Sequence, residues 1–293
     1  MASRVSLVAI KNGLSGGVNL FPARTLVRSR GLATIATRRN YDWISTEAEE
    51  LIAKAYCRHQ SLASQGSTET FPPSLSVKDL EAIGAPVHFP PQSVGDEVAI
   101  RVVKVLEKFM HLFFREKYDH HAVTLETVAA VPGIVAAAHR HLRSLRNMKR
   151  DHGWIVPLQE EAENERMHLL IMMQHCKPSL IERVFVIGAQ GLYVLGYGIM
   201  YATSPKTAHR VVGYLEEAAH RAYTDYLQAI DKGEIENVNA QKIAISYYHL
   251  PQDAKLRDVV LQIRADEAMH RDFNHHLSNL YRDGKQDQSP ASL

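Results

Sequence analysis

Two stretches place a carboxylate and an imidazole three residues apart: Glu165 and His168 within Glu161-Ala-Glu-Asn-Glu-Arg-Met-His168, and Glu267 and His270 within Arg264-Ala-Asp-Glu-Ala-Met-His270. Residues at i and i+3 share one face of a helix, so each pair can close on a metal ion from a single rigid element. Two such pairs require two more carboxylates from two other helices, which is the pattern of a di-iron carboxylate bundle. Glu126 and Glu216, each upstream of one pair, are the candidates. Glu217 and His220 form a third Glu-x-x-His, so spacing alone leaves open whether Glu216 or Glu217 is the ligand.

Long helices must carry these residues. Apolar periodicity predicts a first helix over about 95–117, with Val98, Val102, Val105, Leu106, Phe109 and Met110 bordered by Arg101, Lys104 and Lys108. Such a stripe suits either a core-facing helix or one lying in a membrane surface, its cations at the headgroups. A second helix, about 121–146, holds Glu126 in an apolar run, with Pro132-Gly133 predicting a kink. An unpaired carboxylate in such a run is costly, which favours a ligand role for Glu126.

The helix with the first pair runs from about Trp154 to His175, and the apolar run 184–202 follows it. That run is long enough to span a bilayer. It is read instead as the crossover helix of the bundle, because spanning would force the charged helices on either side to meet inside hydrocarbon. Its outer apolar face joins that of the first helix in one membrane-facing plateau. Ser204-Pro205 opens the helix with Glu216, a short element passes Tyr247 and Tyr248, and a last helix over about 253–281 holds the second pair. The expected fold is all-α: a ferritin-like four-helix di-iron bundle with two additional apolar membrane-facing helices.

The ends of the chain differ in character from this middle. Residues 1–41 carry seven cations and no acid, the composition of a mitochondrial transit peptide, or else of a basic arm. Without them 27 basic residues face 32 acids, which gives no case for a nucleic-acid partner. Residues 42–95 begin with a possible short helix, Trp43 to Arg58, and continue Ser/Gly/Thr/Pro-rich, an arm expected to lie over a neighbour or partner. Residues 96–282 form the bundle domain, and the polar tail 283–293 is expected to be disordered. Cys57 and Cys176 are too few and too far apart for a disulfide framework or a thiolate metal site.

Taken together, Leu125-Glu-Thr-Val-Ala-Ala-Val-Pro-Gly133, Asn164-Glu-Arg-Met-His168, Tyr214-Leu-Glu-Glu217 and Arg264-Ala-Asp-Glu-Ala-Met-His270 resemble the mitochondrial alternative oxidases, the cyanide-insensitive ubiquinol oxidases, in order and over roughly 96–281. The resemblance implies a ligand set of Glu126, Glu165, His168, Glu216, Glu267 and His270 for two iron ions. It also implies a redox-active Tyr223, and Asn164 and Asp266 as hydrogen-bonding residues behind the ligands. His141, His209, Tyr201 and Tyr247 fall where that family has a histidine or tyrosine. Its implied quinol contacts are His121, Ala122, Leu125, Leu215 and Ala219. Four carboxylates balance two ferrous ions, and hard oxygen ligands favour the ferric state, which drives electrons toward dioxygen.

The activity so implied is ubiquinol oxidation with reduction of dioxygen to water, without proton pumping. The implied setting is a homodimer, monotopic on the matrix-facing surface of the mitochondrial inner membrane and in contact with its lipid. Three departures from the family pattern stand out: His121 in place of an arginine, Ala218 in place of a third glutamate, and Tyr248 where a tryptophan is common. A neutral imidazole anchors a quinone oxygen less firmly than a guanidinium. Other readings of the same residues are a di-iron quinone-biosynthesis hydroxylase, a plastid quinol oxidase, a ferritin-like iron store and a metal-free helical bundle.

Overall fold

The structure is a computed structural model that describes residues 76–83, 87–114, 118–175 and 179–290. The expected transit peptide, the helix near Trp43, Cys57 and Cys176 lie outside the described residues. Among the described residues there are eight helices and no strand: α1 Val77–Ala82, α2 Val94–Phe114, α3 Tyr118–Asn147, α4 Ile155–Met172, α5 Leu180–Thr203, α6 Pro205–Asp231, α7 Lys242–Tyr248 and α8 Leu256–Arg282.

Start signals are local. Ser179 accepts from the Glu182 amide while Glu182 reaches back, a capping box that opens α5. Ser204 caps α6 with Pro205 in its first turn, where the missing N–H costs nothing. Within α3 the helix continues through Pro132 as one element of 30 residues.

Four helices, α3, α4, α6 and α8, make the bundle. Arg257 at the start of α8 pairs with Asp231 at the end of α6 at 2.6 Å, and Ser278 near the other end donates to the Lys206 carbonyl at 2.9 Å, so these two run antiparallel. Two glycines permit the close approach. A Cβ on Gly133 of α3 would sit 2.5 Å from the Leu158 carbonyl of α4, and one on Gly213 of α6 would sit 2.5 Å from the His275 ring of α8. The helix α8 is buried on nearly all sides, as the central helix of such a packing must be.

The remaining long helices lie on this bundle. Along α5, Glu182, Gln190 and Gly198 meet His120, Thr127 and Val135 in turn, so α5 runs parallel to α3. α2 is pinned to α6 by Asp96–Arg210 at 3.0 Å and Glu107–Arg221 at 2.7 Å. The outward faces of both are apolar. Val98, Val102, Val105, Leu106, Phe109 and Leu112 of α2 are exposed, as are Leu180, Ile181, Val184, Ile187, Leu192 and Leu195 of α5. Phe109 stacks on Phe185 with ring centroids 6.0 Å apart, which joins the two faces.

Two segments outside the bundle helices are tied to the bundle. The described part of the arm packs on its own bundle: Leu80 and Ile83 enter the core, and Phe89 inserts between α6 and α8, over the Arg210 guanidinium at 3.7 Å. The tail, expected to be disordered from its polarity, folds back as far as Pro290. There the Gln288 carbonyl accepts from Trp154 Nε1 at 2.8 Å and the Pro290 carbonyl from His276 at 3.2 Å. Composition missed this because the tail is held by its backbone oxygens, whatever its side chains.

Candidate metal centre

The bundle axis carries two overlapping groups of acids and histidines. Glu126, Glu165, His168 and Glu267 offer ligand atoms within 4.8 Å of one another, and so do Glu165, Glu216, Glu267 and His270. Glu165 and Glu267 belong to both groups and lie between them. All six residues are buried, contributed by α3 (Glu126), α4 (Glu165, His168), α6 (Glu216) and α8 (Glu267, His270). The i, i+3 spacing does what was expected of it, bringing an imidazole and a carboxylate to one point from each of two helices.

Charge makes this cluster unstable by itself. Burial, and then the neighbouring Glu165 carboxylate, push the Glu126 pKa well above the usual carboxylate range; burial, Glu267 and Glu165 do the same to Glu216. Glu165 goes the other way. Burial alone would raise it, but His270, with Nδ1 at 2.5 Å, and His168 hold its pKa low. His270 in turn is pushed up to about 9: against the cost of burial stand Glu165, Glu161 and Glu267. Protons are therefore the charge balance of this cluster, and cations could take their place.

Hydrogen bonding says where a cation fits. Asp266 Oδ2 accepts from Tyr248 OH at 2.9 Å, from Asn164 Nδ2 at 3.2 Å and from His168 Nε2 at 3.2 Å. Asn164 Nδ2 also donates to Tyr247 OH at 2.8 Å. With its hydrogen on Nε2, a neutral His168 turns the Nδ1 lone pair inward, where Glu267 Oε1 lies 3.2 Å away and Glu165 Oε2 3.5 Å away. His168 Nδ1, both Glu165 oxygens, Glu126 Oε2 and Glu267 Oε1 make no well-aligned hydrogen bond among the described residues, only close contacts with one another and with His270. Acceptors that face one another in a dry interior need a proton or a metal ion between them. A carboxylate behind a histidine is the usual support of a metal ligand.

Geometry separates the two adjacent acids. Glu216 points into the cluster, whereas Glu217 points away to His275 Nε2 at 3.0 Å, His88 Nδ1 at 2.7 Å and the Phe89 amide at 2.9 Å. His220 likewise faces outward, 3.2 Å from the Ile83 carbonyl. The third Glu-x-x-His thus holds the arm.

Tyr223 is buried against the cluster and its hydroxyl donates to Glu126 Oε1. Ala122 is buried; His121 and Leu125 of α3, and Leu215 and Ala219 of α6, are half-buried within a turn or two of Glu126 and Glu216. Of the other residues singled out, Tyr201 and His209 are buried 3.3 Å apart, while His141 is exposed and takes no part. Sequence reasoning missed Glu161, one turn before Glu165, whose carboxylate is buried against Asn274 and pushed up to about 7 mainly by burial. Its i−4 spacing from Glu165 was the available signal.

A family model described as "Alternative oxidase" matches residues 76–279. The chain is 50% identical over 207 residues to "Alternative oxidase 3, mitochondrial" of Glycine max, covering 70% of this chain and 64% of that one. It is 54% identical over 197 residues to "Ubiquinol oxidase, mitochondrial" of Batrachochytrium dendrobatidis, covering 67% and 62%. Against "Ubiquinol oxidase 2, mitochondrial" of Arabidopsis thaliana it is 48% identical over 224 residues, covering 76% and 62%. The chain therefore spans just under two thirds of the length of these relatives. With the match running from α1 nearly to the end of α8 and taking in every acid and histidine of the cluster, the chain belongs to the alternative oxidase family.

Proposed function

We propose that the protein oxidises ubiquinol and reduces dioxygen to water at a pair of iron ions held by Glu126, Glu165, His168, Glu216, Glu267 and His270. The observation that carries this is the pair of overlapping Glu/His groups that share Glu165 and Glu267, since two shared carboxylates suit two adjacent metal ions. Iron, when bound, supplies the redox change that couples hydroquinone oxidation to dioxygen reduction.

The chain's own residues do the rest. Asp266 and Asn164 hold His168 in one tautomer, and the apolar shell of Ile171, Val260 and Ile263 keeps bulk water away. Each ubiquinol gives two electrons and two protons, and one dioxygen takes four of each, so two quinols serve each turnover. Tyr223, hydrogen-bonded to Glu126, supplies one electron and one proton locally, the carboxylate receiving the proton. His121, Ala122, Leu125, Leu215 and Ala219 line the approach of the quinol ring, on the side of the bundle where α3 and α6 meet.

A lipid substrate calls for entry from lipid. The joined apolar faces of α2 and α5 suit a membrane surface, with Arg101, Lys104 and Lys108 placed among the apolar residues of α2 to meet headgroups. Both α3 and α5 contain stretches long and apolar enough to cross a bilayer. Half of the apolar stretch of α3 is buried in the bundle and α5 packs along it, so the reading is monotopic: the bundle rests on the membrane. Relatives named mitochondrial support placement in that organelle; the finer setting, the inner membrane facing the matrix as a homodimer, is part of this proposal.

Product analysis tests this reading against the hydroxylase alternative. With short-chain ubiquinol and iron-loaded protein, the expected product is the quinone alone, two per dioxygen consumed. A hydroxylated ring product would contradict it.

A further inference from the structure

Polar groups continue beyond the candidate ligands on the side away from Asp266. Glu161 accepts from Asn274 Nδ2 with both carboxylate oxygens, at 2.9 and 3.0 Å, and the same nitrogen donates to the His270 carbonyl at 3.0 Å. Three acceptors around one nitrogen settle which way the amide points. Its oxygen faces His209, with Oδ1 3.0 Å from Nδ1. An amide oxygen only accepts, so Nδ1 carries the hydrogen and Nε2 of a neutral ring is a bare lone pair. The ring is neutral: burial first, with Arg140 and Arg210 assisting, holds its pKa at about 3 in spite of Asn274. The Tyr201 hydroxyl lies 3.3 Å from that lone pair, and both residues are at most 1% exposed.

Tyr201 is the last of three tyrosines at four-residue spacing on one face of α5. Tyr193 and Tyr197 have buried hydroxyls with no hydrogen-bond partner among the described residues. A phenol that cannot release its proton is hard to oxidise, so of the three Tyr201 has the built-in base. Ring centroids are 5.8 Å apart from Tyr193 to Tyr197 and 6.0 Å from Tyr197 to Tyr201. The Tyr193 hydroxyl feels the charges of Glu216, Glu161 and Glu165, which sets the start of this ladder beside the cluster. The same Tyr201 hydroxyl also meets Tyr281 and Arg140, and Arg140 continues to Asp151 at 2.7 Å.

We propose that Tyr201 and His209 form a second redox-active tyrosine–histidine pair, a one-electron reservoir linked by hydrogen bonds through Asn274 to the helix that carries His270. The proposal rests on the oxidase reading. In the step, one electron leaves the Tyr201 phenol for the dioxygen-derived oxidant at the centre; the phenol O–H bond breaks and its proton forms an N–H bond on His209 Nε2. The products are a neutral phenoxyl radical and an imidazolium. One electron from a hydroquinone, with the proton returned by His209, restores both residues. Because Arg140 and Arg210 disfavour the imidazolium, only a strong oxidant discharges the pair. Ordinary handling in air leaves it reduced.

Freeze-quench electron paramagnetic resonance tests the pair. Iron-loaded Tyr223→Phe protein, reduced with quinol and mixed with oxygen, is expected to show a tyrosyl doublet. The doublet should carry a hydrogen-bond coupling that is lost in deuterium oxide, and Tyr201→Phe added to Tyr223→Phe should abolish it. A doublet that survives in that double variant, or oxygen consumption by Tyr223→Phe without a doublet, overturns the proposal. A second measurement needs no metal. Nitrogen-15 spectra of His209 should show hydrogen on Nδ1 and a bare Nε2, and the opposite tautomer overturns the proposal because such a ring has no site for the proton. Wild-type protein with two irons that consumes no oxygen sinks the oxidase reading and the pair together, whereas normal consumption with no Tyr201 signal removes the pair alone.

Discussion

His168 donates from Nε2 to Asp266 Oδ2 at 3.2 Å, and this one contact decides which ring nitrogen faces the carboxylates of the candidate metal centre. Replacing Asp266 removes the reason for that tautomer without touching a candidate ligand. Asp266→Ala is expected to weaken iron binding by about 10- to 100-fold, read by competition with a chelator. Unchanged affinity would mean that the ligand nitrogen is set by something else.

Glu216 and Glu217 are neighbours with opposite duties. Glu216→Gln should lower bound iron, because it removes a carboxylate from the cluster. Glu217→Ala should leave iron in place but destabilise the fold by about 1–3 kcal/mol, because His275, His88 and the Phe89 amide lose the carboxylate they share. Iron content and denaturant midpoints of the two variants, measured side by side, check the assignment. The reverse pattern would exchange their roles.

Tyr223→Phe keeps the ring and removes only the hydroxyl that donates to Glu126. Iron content is expected to stay at the wild-type level while oxygen uptake falls by an order of magnitude or more. Full uptake would take Tyr223 out of the chemistry.

Three buried histidines should each cost stability in mild acid. Folding holds His209 and His220 at about 3 and His275 at about 4, against an ordinary 6.5, with burial the main cause in each. Between those values the unfolded chain binds more protons than the folded one. The contribution is therefore complete above about pH 6.5 and is lost as pH falls toward 4, by up to about 1.4 kcal/mol per pH unit for each ring. His220→Gln removes one ring, so the stability gap between wild type and this variant should shrink as pH falls through that window. Denaturant titrations at several pH values measure it, and a constant or widening gap would count against the assignment.

His121 stands where the sequence resemblance implies an arginine. His121→Arg is expected to lower the apparent quinol KM, through several fixed donors in place of one ring nitrogen. A KM that stays level or rises would show that this position does not anchor the quinol.

The centre was legible in the sequence because helix spacing converts i, i+3 directly into proximity; that is why Glu165 with His168 and Glu267 with His270 could be paired before any coordinates. What spacing does not carry is rotation about the helix axis. Glu216 and Glu217 differ by one residue, about 100° of turn, and only the packing of α6 against α8 and the arm says which one faces inward. The attachments of the arm and tail are not legible for a related reason. Their attachments run through backbone groups of Ile83, Phe89 and Gln288, accepting from or donating to buried side chains far away in sequence. Glu161 escaped notice because a lone acid on a helix is more often solvated, and its burial follows from Asn274, 113 residues later.

Oxygen uptake by purified protein of known iron content, in detergent with a short-chain ubiquinol and with or without cyanide, tests the central claim most directly. The account predicts about two irons per chain and uptake that cyanide leaves unchanged. Two irons per chain with no quinol-dependent uptake, or uptake that cyanide abolishes, would contradict it.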